Sequence, residues 1–207
     1  PCHTPVNADS IDFISAMPAT GSARSALRDL LLKKSVMRGD FTLASGAKSD
    51  LYVDCRLTTL DARGGALVGQ VLLPVLREAE KQLEVKVAGV GGLTMGADPV
   101  ALSVAIASHQ ADPANPVHAF SVRKEAKQHG RKKLVEGNFK AGDLVAVVDD
   151  VITTGGSTLK AIDRIEAEGG KVALALVLLD REEGGRANIE ARGGKDFSAF
   201  TRTGLLG

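Results

Sequence analysis

A chain of 207 residues with 44% hydrophobic and 25% charged side chains has the makeup of a globular domain, not of a disordered or coiled-coil chain. Its net charge of +1 excludes an all-over basic surface of the kind that holds nucleic acid without sequence preference, while leaving room for a local patch. Cys2 and Cys55 make no disulfide framework, and no basic cluster followed by an apolar stretch opens the chain. The longest apolar runs, Val172 to Leu179 and Val71 to Leu76, fall far short of the roughly 20 residues that span a bilayer, so a cytoplasmic protein without membrane or nucleic-acid partners is expected.

In chain order, residues 1–20 hold Pro1, Pro5 and Pro18 without sustained periodicity and read as an arm. From Ser22 the leucines at 27, 30 and 31 recur at helical spacing, with Gly39 as the stop signal. Phe41 and Leu43, a Gly-containing turn over Ser45 to Ser49, and Leu51 and Val53 make a hairpin. Asp61 precedes a helix whose apolar face is Leu67, Val71, Val75, Leu76 and Ala79. Four short apolar runs then follow about 30 residues apart: Val85 to Val90, Val117 to Val122, Leu144 to Val148 and Val172 to Leu179. Helical stretches follow the first (Pro99 to Ser108) and the third (Ser157 to Glu168). Such continuous apolar strands, alternating with helices, predict an α/β fold: a mostly parallel sheet buried on both faces. The crossover Lys124 to Asn138 breaks this rule, being charged and glycine-containing with no apolar face, and marks a functional loop.

The most informative string is VAVVDDVITTGGST, Val145 to Thr158. A buried strand ends in Asp149 and Asp150, and a loop of Thr153, Thr154, Gly155, Gly156 and Ser157 opens a helix with apolar positions Leu159, Ile162 and Ile165. Ligands of open α/β sheets bind beyond the carboxyl ends of the strands, where this loop falls. Its hydroxyls, its backbone N–H groups and the positive helix end suit a phosphate. The two acceptor-only carboxylates suit the hydroxyls of a ribose. The plainer alternative is that the Asp pair caps a turn and the Gly/Ser run merely starts a helix. No P-loop competes, because Gly91 and Gly96 have the spacing but Ala97 stands where a Lys is required.

A second string, FSVRKEAKQHGRKKLVEG (Phe120 to Gly137), packs six Lys or Arg against one Glu between Arg123 and Lys133. A solvated charged loop is the simplest account of it, and a nucleic-acid patch is disfavoured by the lack of interleaved aromatic residues. These strings resemble the type I phosphoribosyltransferases, whose reaction displaces a diphosphate from an anomeric carbon and puts negative charge on the leaving group, so the resemblance implies a mobile basic loop that closes and excludes water.

Within that family, RKEAKQHG specifically resembles the catalytic loop of the orotate phosphoribosyltransferases. The resemblance runs from Leu27 to the end of the parallel sheet. It implies transfer of ribose 5-phosphate from phosphoribosyl diphosphate to orotate, giving orotidine 5′-monophosphate and pyrophosphate in pyrimidine synthesis. Arg123, Lys124, Lys127 and His129 are then the catalytic, diphosphate-contacting residues. His129 would donate either a proton or a charge-assisted hydrogen bond. Asp149, Asp150, Val151, Ile152, Thr153, Thr154, Gly155, Gly156 and Ser157 form the remainder of the phosphoribosyl diphosphate site.

FTLASGAKSDLYVDCR, Phe41 to Arg56, is similar to the family's hood hairpin, on which the ring of Tyr52 either stacks on the pyrimidine or packs within the hood. GVGGLTMGADPVA, Gly89 to Ala101, is similar to the loop beside the diphosphate, with Gly91, Gly92 and Gly96 permitting close approach. LLDREEGG, Leu178 to Gly185, resembles the base-contacting segment: Arg181 would pair with the orotate carboxylate and Thr153 would complete the contact. The chain departs from some family members at Ala44 and at Met95-Gly96, where they carry a Lys and a Tyr-Lys pair; Lys48 could supply a cation instead. The histidines at 3, 109, 118 and 129 show no ligand spacing, so no protein metal site is expected, and Mg²⁺ would be bound mainly through the substrate. The resemblance further implies a homodimer with shared active sites, and an organisation into the arm, a hood over 21–60 and a core over 61–207. The competing functions are transfer to a purine base and a DNA-binding regulator that has kept the phosphoribosyl diphosphate site.

Overall fold

The computed structural model describes residues 20–42, 48–125 and 133–207. The first helix, α1 (Thr20–Lys34), buries Ala23, Leu27 and Leu31, four residues apart on one stripe. It ends earlier than Gly39 suggests. Gly39 instead lies within strand β1 (Val36–Thr42), which pairs antiparallel with β2 (Lys48–Val53), and the register slips between Arg38 and Phe41 at the glycine. A glycine that reads as a helix stop is here part of a bulge. The predicted turn over Ser45 to Ser49 falls largely outside the described residues.

A short turn of helix, α2 (Arg56–Thr59), leads into α3 (Ala62–Leu83). The Asp61 carboxylate caps α3 by accepting from the N–H groups of Arg63 (3.0 Å) and Gly64 (2.9 Å), two of the donors a helix start leaves unpaired. Next come β3 (Gly89–Leu93), α4 (Ala97–Ala111), β4 (His118–Val122), β5 (Val135–Gly137), β6 (Leu144–Ile152), α5 (Gly156–Ala167), β7 (Lys171–Asp180), α6 (Gly185–Ala191), β8 (Asp196–Thr201) and α7 (Arg202–Leu206). The strand predicted at Val85 to Val90 therefore starts and ends later, and β5, β8, α6 and α7 had no counterpart in the sequence reading.

The six-stranded sheet has the order β5-β4-β3-β6-β7-β8 and is parallel except for the short edge strand β5. Period-two alternation sorts its side chains between two apolar layers. Ala146, Val148, Leu174, Leu176 and Leu178 join α1, α3 and α4 on one face. Val145, Val147, Ala175 and Val177 join Ile162 and Ile165 of α5 and Ile189 of α6 on the other. Helix α4 carries the chain from β3 outward to β4 on the first face, and α5 carries it from β6 outward to β7 on the second. The carboxyl ends of β3 and β6 thus form a topological switch point, the place where such sheets open a crevice.

Candidate active site

Strand β6 delivers Asp149 and Asp150 to that crevice. Both are buried, at 6% and 7% exposure. Asp149 Oδ2 accepts from the Thr158 hydroxyl on α5 at 3.0 Å, and its Oδ1 accepts from the N–H of Asp150. Burial, and then the neighbouring Asp150 charge, push the Asp149 carboxyl up to about 7. Burial also raises Asp150. The ionised form of either carboxyl is therefore short of hydrogen-bond donors, which hydroxyl groups of a ligand could supply.

A cleft of about 330 Å³ opens over these carboxyls. Its lining includes Asp149, Asp150, Val151 and Ser157 from β6 and the loop, and Lys124 from the root of the basic segment. Thr94, Met95 and Gly96 come from the β3–α4 turn, Tyr52 from the end of β2, and Asp54, Cys55 and Arg56 from the passage into α2. The sequence reading did not single out Asp54, Cys55 or Arg56. The Asp54–Arg56 spacing beside a strand end was the one available signal, and it is a common pattern for a turn.

Gly96 touches the acidic pair directly: a Cβ there would lie 2.4 Å from Asp150 Oδ1, so this position carries no side chain in the present packing. Gly91 and Gly92 serve the sheet instead, since their Cβ atoms would strike the carbonyls of Phe120 and Val148 on neighbouring strands. At the phosphate-type loop Gly155 holds φ +78°, in the left-handed region, as the cap of α5. The Thr154 carbonyl accepts from Asn188 of α6 at 2.9 Å.

Among the predicted residues, Tyr52, Lys124, Asp149, Asp150, Val151 and Ser157 meet in the cleft lining, whereas Arg123, Ile152, Thr153, Thr154, Gly155, Gly156 and Arg181 are not part of it. The side chain of Ile152 is packed in the second core layer, leaving only its backbone for a ligand. Tyr52 is 38% exposed, with its ring 5.5 Å from that of Phe41. Arg181 is buried and pairs with Glu183 at 2.8 Å, while its Nε has no partner among the described residues. It is near enough to weigh on the Cys55 thiol, which burial raises well above its ordinary range. Arg123 lies 3.8 Å from Glu136, also with an unpartnered Nε. Lys127, His129 and Ala44 lie outside the described residues.

Helix α5 holds both roots of the basic segment. Arg164 donates to the carbonyls of Arg123 and Lys124, each at 2.6 Å, and Glu168 accepts from the N–H of Leu134 at 2.9 Å. One helix therefore joins the phosphate-type loop at its start to the basic segment at its last turn and C-cap.

An orotate phosphoribosyltransferase of Rhodopirellula baltica is 40% identical over 186 residues, covering 87% of this chain and 95% of the relative. The chain belongs to the orotate phosphoribosyltransferase family. The family's protein from Mycobacterium tuberculosis H37Rv is 42% identical over 173 residues, 84% of this chain and 90% of its own length. Its crystal structure in complex with 5-phospho-α-D-ribosyl 1-diphosphate superposes with a TM-score of 0.70 at 36% identity, over 89% of this chain and 99% of that one. No protein-family model matches the chain. Family membership fits the mostly parallel sheet with its small antiparallel N-terminal sheet.

Proposed function

We propose that the cleft transfers ribose 5-phosphate from phosphoribosyl diphosphate to orotate, giving orotidine 5′-monophosphate and pyrophosphate in pyrimidine synthesis. The observation that carries this is the buried Asp149–Asp150 pair at the switch point, continuous with the Thr/Gly loop at the start of α5. In this reading the backbone N–H groups and hydroxyls of Thr153 to Ser157 take the 5-phosphate at the helix N-terminus, and Asp149 and Asp150 accept from the ribose hydroxyls.

Arg181 would exchange Glu183 for the orotate carboxylate. Its buried, unpartnered Nε supports a role in receiving a ligand. Thr153 and the exposed ring of Tyr52 would complete the base site. Departure of pyrophosphate leaves positive character on the ribose and negative charge on the leaving group. Arg123, Lys124, Lys127 and His129 would oppose that negative charge as the basic segment excludes water.

No group of three or more His, Cys, Asp or Glu is placed to hold a metal ion among the described residues. The cleft instead offers paired carboxyls, a donor set that fits Mg²⁺ carried mainly on substrate oxygens and water. When bound, Mg²⁺ would neutralise part of the diphosphate charge. The proposed organisation is a hood over 21–60 above a core over 61–207, with the arm 1–20 before it, acting in the cytoplasm as a homodimer with shared sites. Leu57, Leu60, Leu102 and Ile106, about half exposed or more in the single chain, support the dimer as apolar surface that a second copy would cover.

The test is the loss of orotate absorbance, which should require both phosphoribosyl diphosphate and a divalent cation. Conversion of adenine or hypoxanthine with orotate inert would overturn the base assignment.

A further inference from the structure

The diphosphate is the most highly charged part of the proposed substrate, yet the fixed walls of the cleft are mostly acidic or uncharged. Among the described lining residues only Arg56 and Lys124 are cationic, facing Asp54, Asp149 and Asp150. Lys124 belongs to the basic segment, whereas Arg56 belongs to the wall. The β3–α4 turn across from it can offer backbone but no cation at Gly96, where a side chain would run into the Asp150 carboxylate.

Arg56 is also held in place before any ligand arrives. Its Nε and Nη2 donate to Asp54 Oδ1 and Oδ2, both at 2.8 Å, and its backbone N–H donates to the same carboxylate at 3.1 Å. Asp54 is itself fixed by its N–H donating to the Ser35 carbonyl at 2.9 Å. An exposed pair two residues apart contributes little to stability. Its consequence here is orientation: the fork fixes the guanidinium plane and leaves Nη1 uncommitted among the described residues. Arg56 is also close enough to Asp150 for the two charges to stabilise each other. With the 5-phosphate on the loop and the ribose hydroxyls on the Asp pair, the anion left to be matched is the diphosphate.

We propose that Arg56 is a preorganised diphosphate-binding residue, taking the diphosphate of the substrate and the product pyrophosphate on its free edge. The proposal rests on the reading of the cleft as a phosphoribosyl diphosphate site.

Its test uses the full chain with Arg56→Ala and with Arg56→Gln, which keeps a donor for Asp54 but loses the charge. Michaelis constants are measured for phosphoribosyl diphosphate and orotate in the forward direction, and for pyrophosphate and orotidylate in reverse. Both variants should raise the two diphosphate constants roughly tenfold or more, as expected when a charge-assisted hydrogen bond is lost, and leave the orotate and orotidylate constants within about twofold. Unchanged pyrophosphate affinity in either folded variant overturns the proposal, as does a rise confined to orotate. If the wild-type chain fails to use orotate at all, the functional reading falls. Calorimetric titration of wild type and variants with pyrophosphate then decides the Arg56 proposal on its own, with equal affinities overturning it.

Discussion

Asp149 reports on the site through its proton. Burial, and then the neighbouring Asp150 charge, push its folded carboxyl up to about 7, against 3.8 for an ordinary aspartate, so its ionised form disfavours the folded state. The stabilising balance from this group is complete below the ordinary value and is lost as pH rises through about 7. Asp149→Asn keeps an acceptor for the Thr158 hydroxyl and removes the ionisation. The variant should therefore unfold at a higher temperature than wild type, with an advantage several degrees larger at pH 8 than at pH 5, at roughly 2–4 °C per kcal/mol for a chain of this size. An equal offset at both pH values in scanning calorimetry would mean that Asp149 is ionised throughout. Arg181 gives a second residue-scale prediction. Arg181→Ala should weaken orotate about tenfold or more while phosphoribosyl diphosphate binds nearly as before, because only the carboxylate loses its cation. Parallel loss of both ligands in titrations would make the pairing of buried Arg181 with Glu183 structural.

At the scale of elements, α5 couples two parts that the sequence presents separately. Arg164→Ala removes the two hydrogen bonds that hold the carbonyls of Arg123 and Lys124, so this root of the basic segment should be held less firmly. Tryptic cuts between Arg123 and Lys133, mapped by mass, should accelerate about tenfold while the melting temperature barely moves. An unchanged cutting rate would show that Arg164 does not restrain the segment.

The helix after Asp61 and the β6–loop–α5 unit were legible in the sequence because apolar periodicity is local. Strand β3 was placed too early because Val85 to Val90 has the β-branched residues, whereas the real strand, GVGGL, contains glycines demanded by the carbonyls of its neighbours. Strand β5 has three residues and exists only as an edge partner of β4, a tertiary cause with no sequence period. The Asp54–Arg56 fork escaped notice for a related reason: it becomes part of a site only when the end of β2 is folded against the β3–α4 turn.

For the whole molecule, the proposed homodimer poses the question of which chain supplies the basic segment to which site. In the proposed homodimer, the segment of one chain covers the ribose carboxyls of the other. Lys127→Ala disables the segment, and Asp150→Asn disables the ribose site, where Asp150 is buried at 7% exposure in the cleft. Each variant alone has one defect in both of its sites and should be nearly inactive. In a mixed dimer with sharing across the interface, one site combines the intact Asp150 of the first chain with the intact Lys127 of the second, while the other site collects both defects. Random reassortment of equal amounts makes half of the dimers mixed, so activity should return to about a quarter of the wild-type level. If each segment served its own chain, every site would keep one defect and mixing would restore nothing. Co-refolding the two variants, confirming the mixed species by mass and assaying orotate consumption distinguishes the arrangements, and no gain in activity would refute sharing while leaving the reaction itself in place.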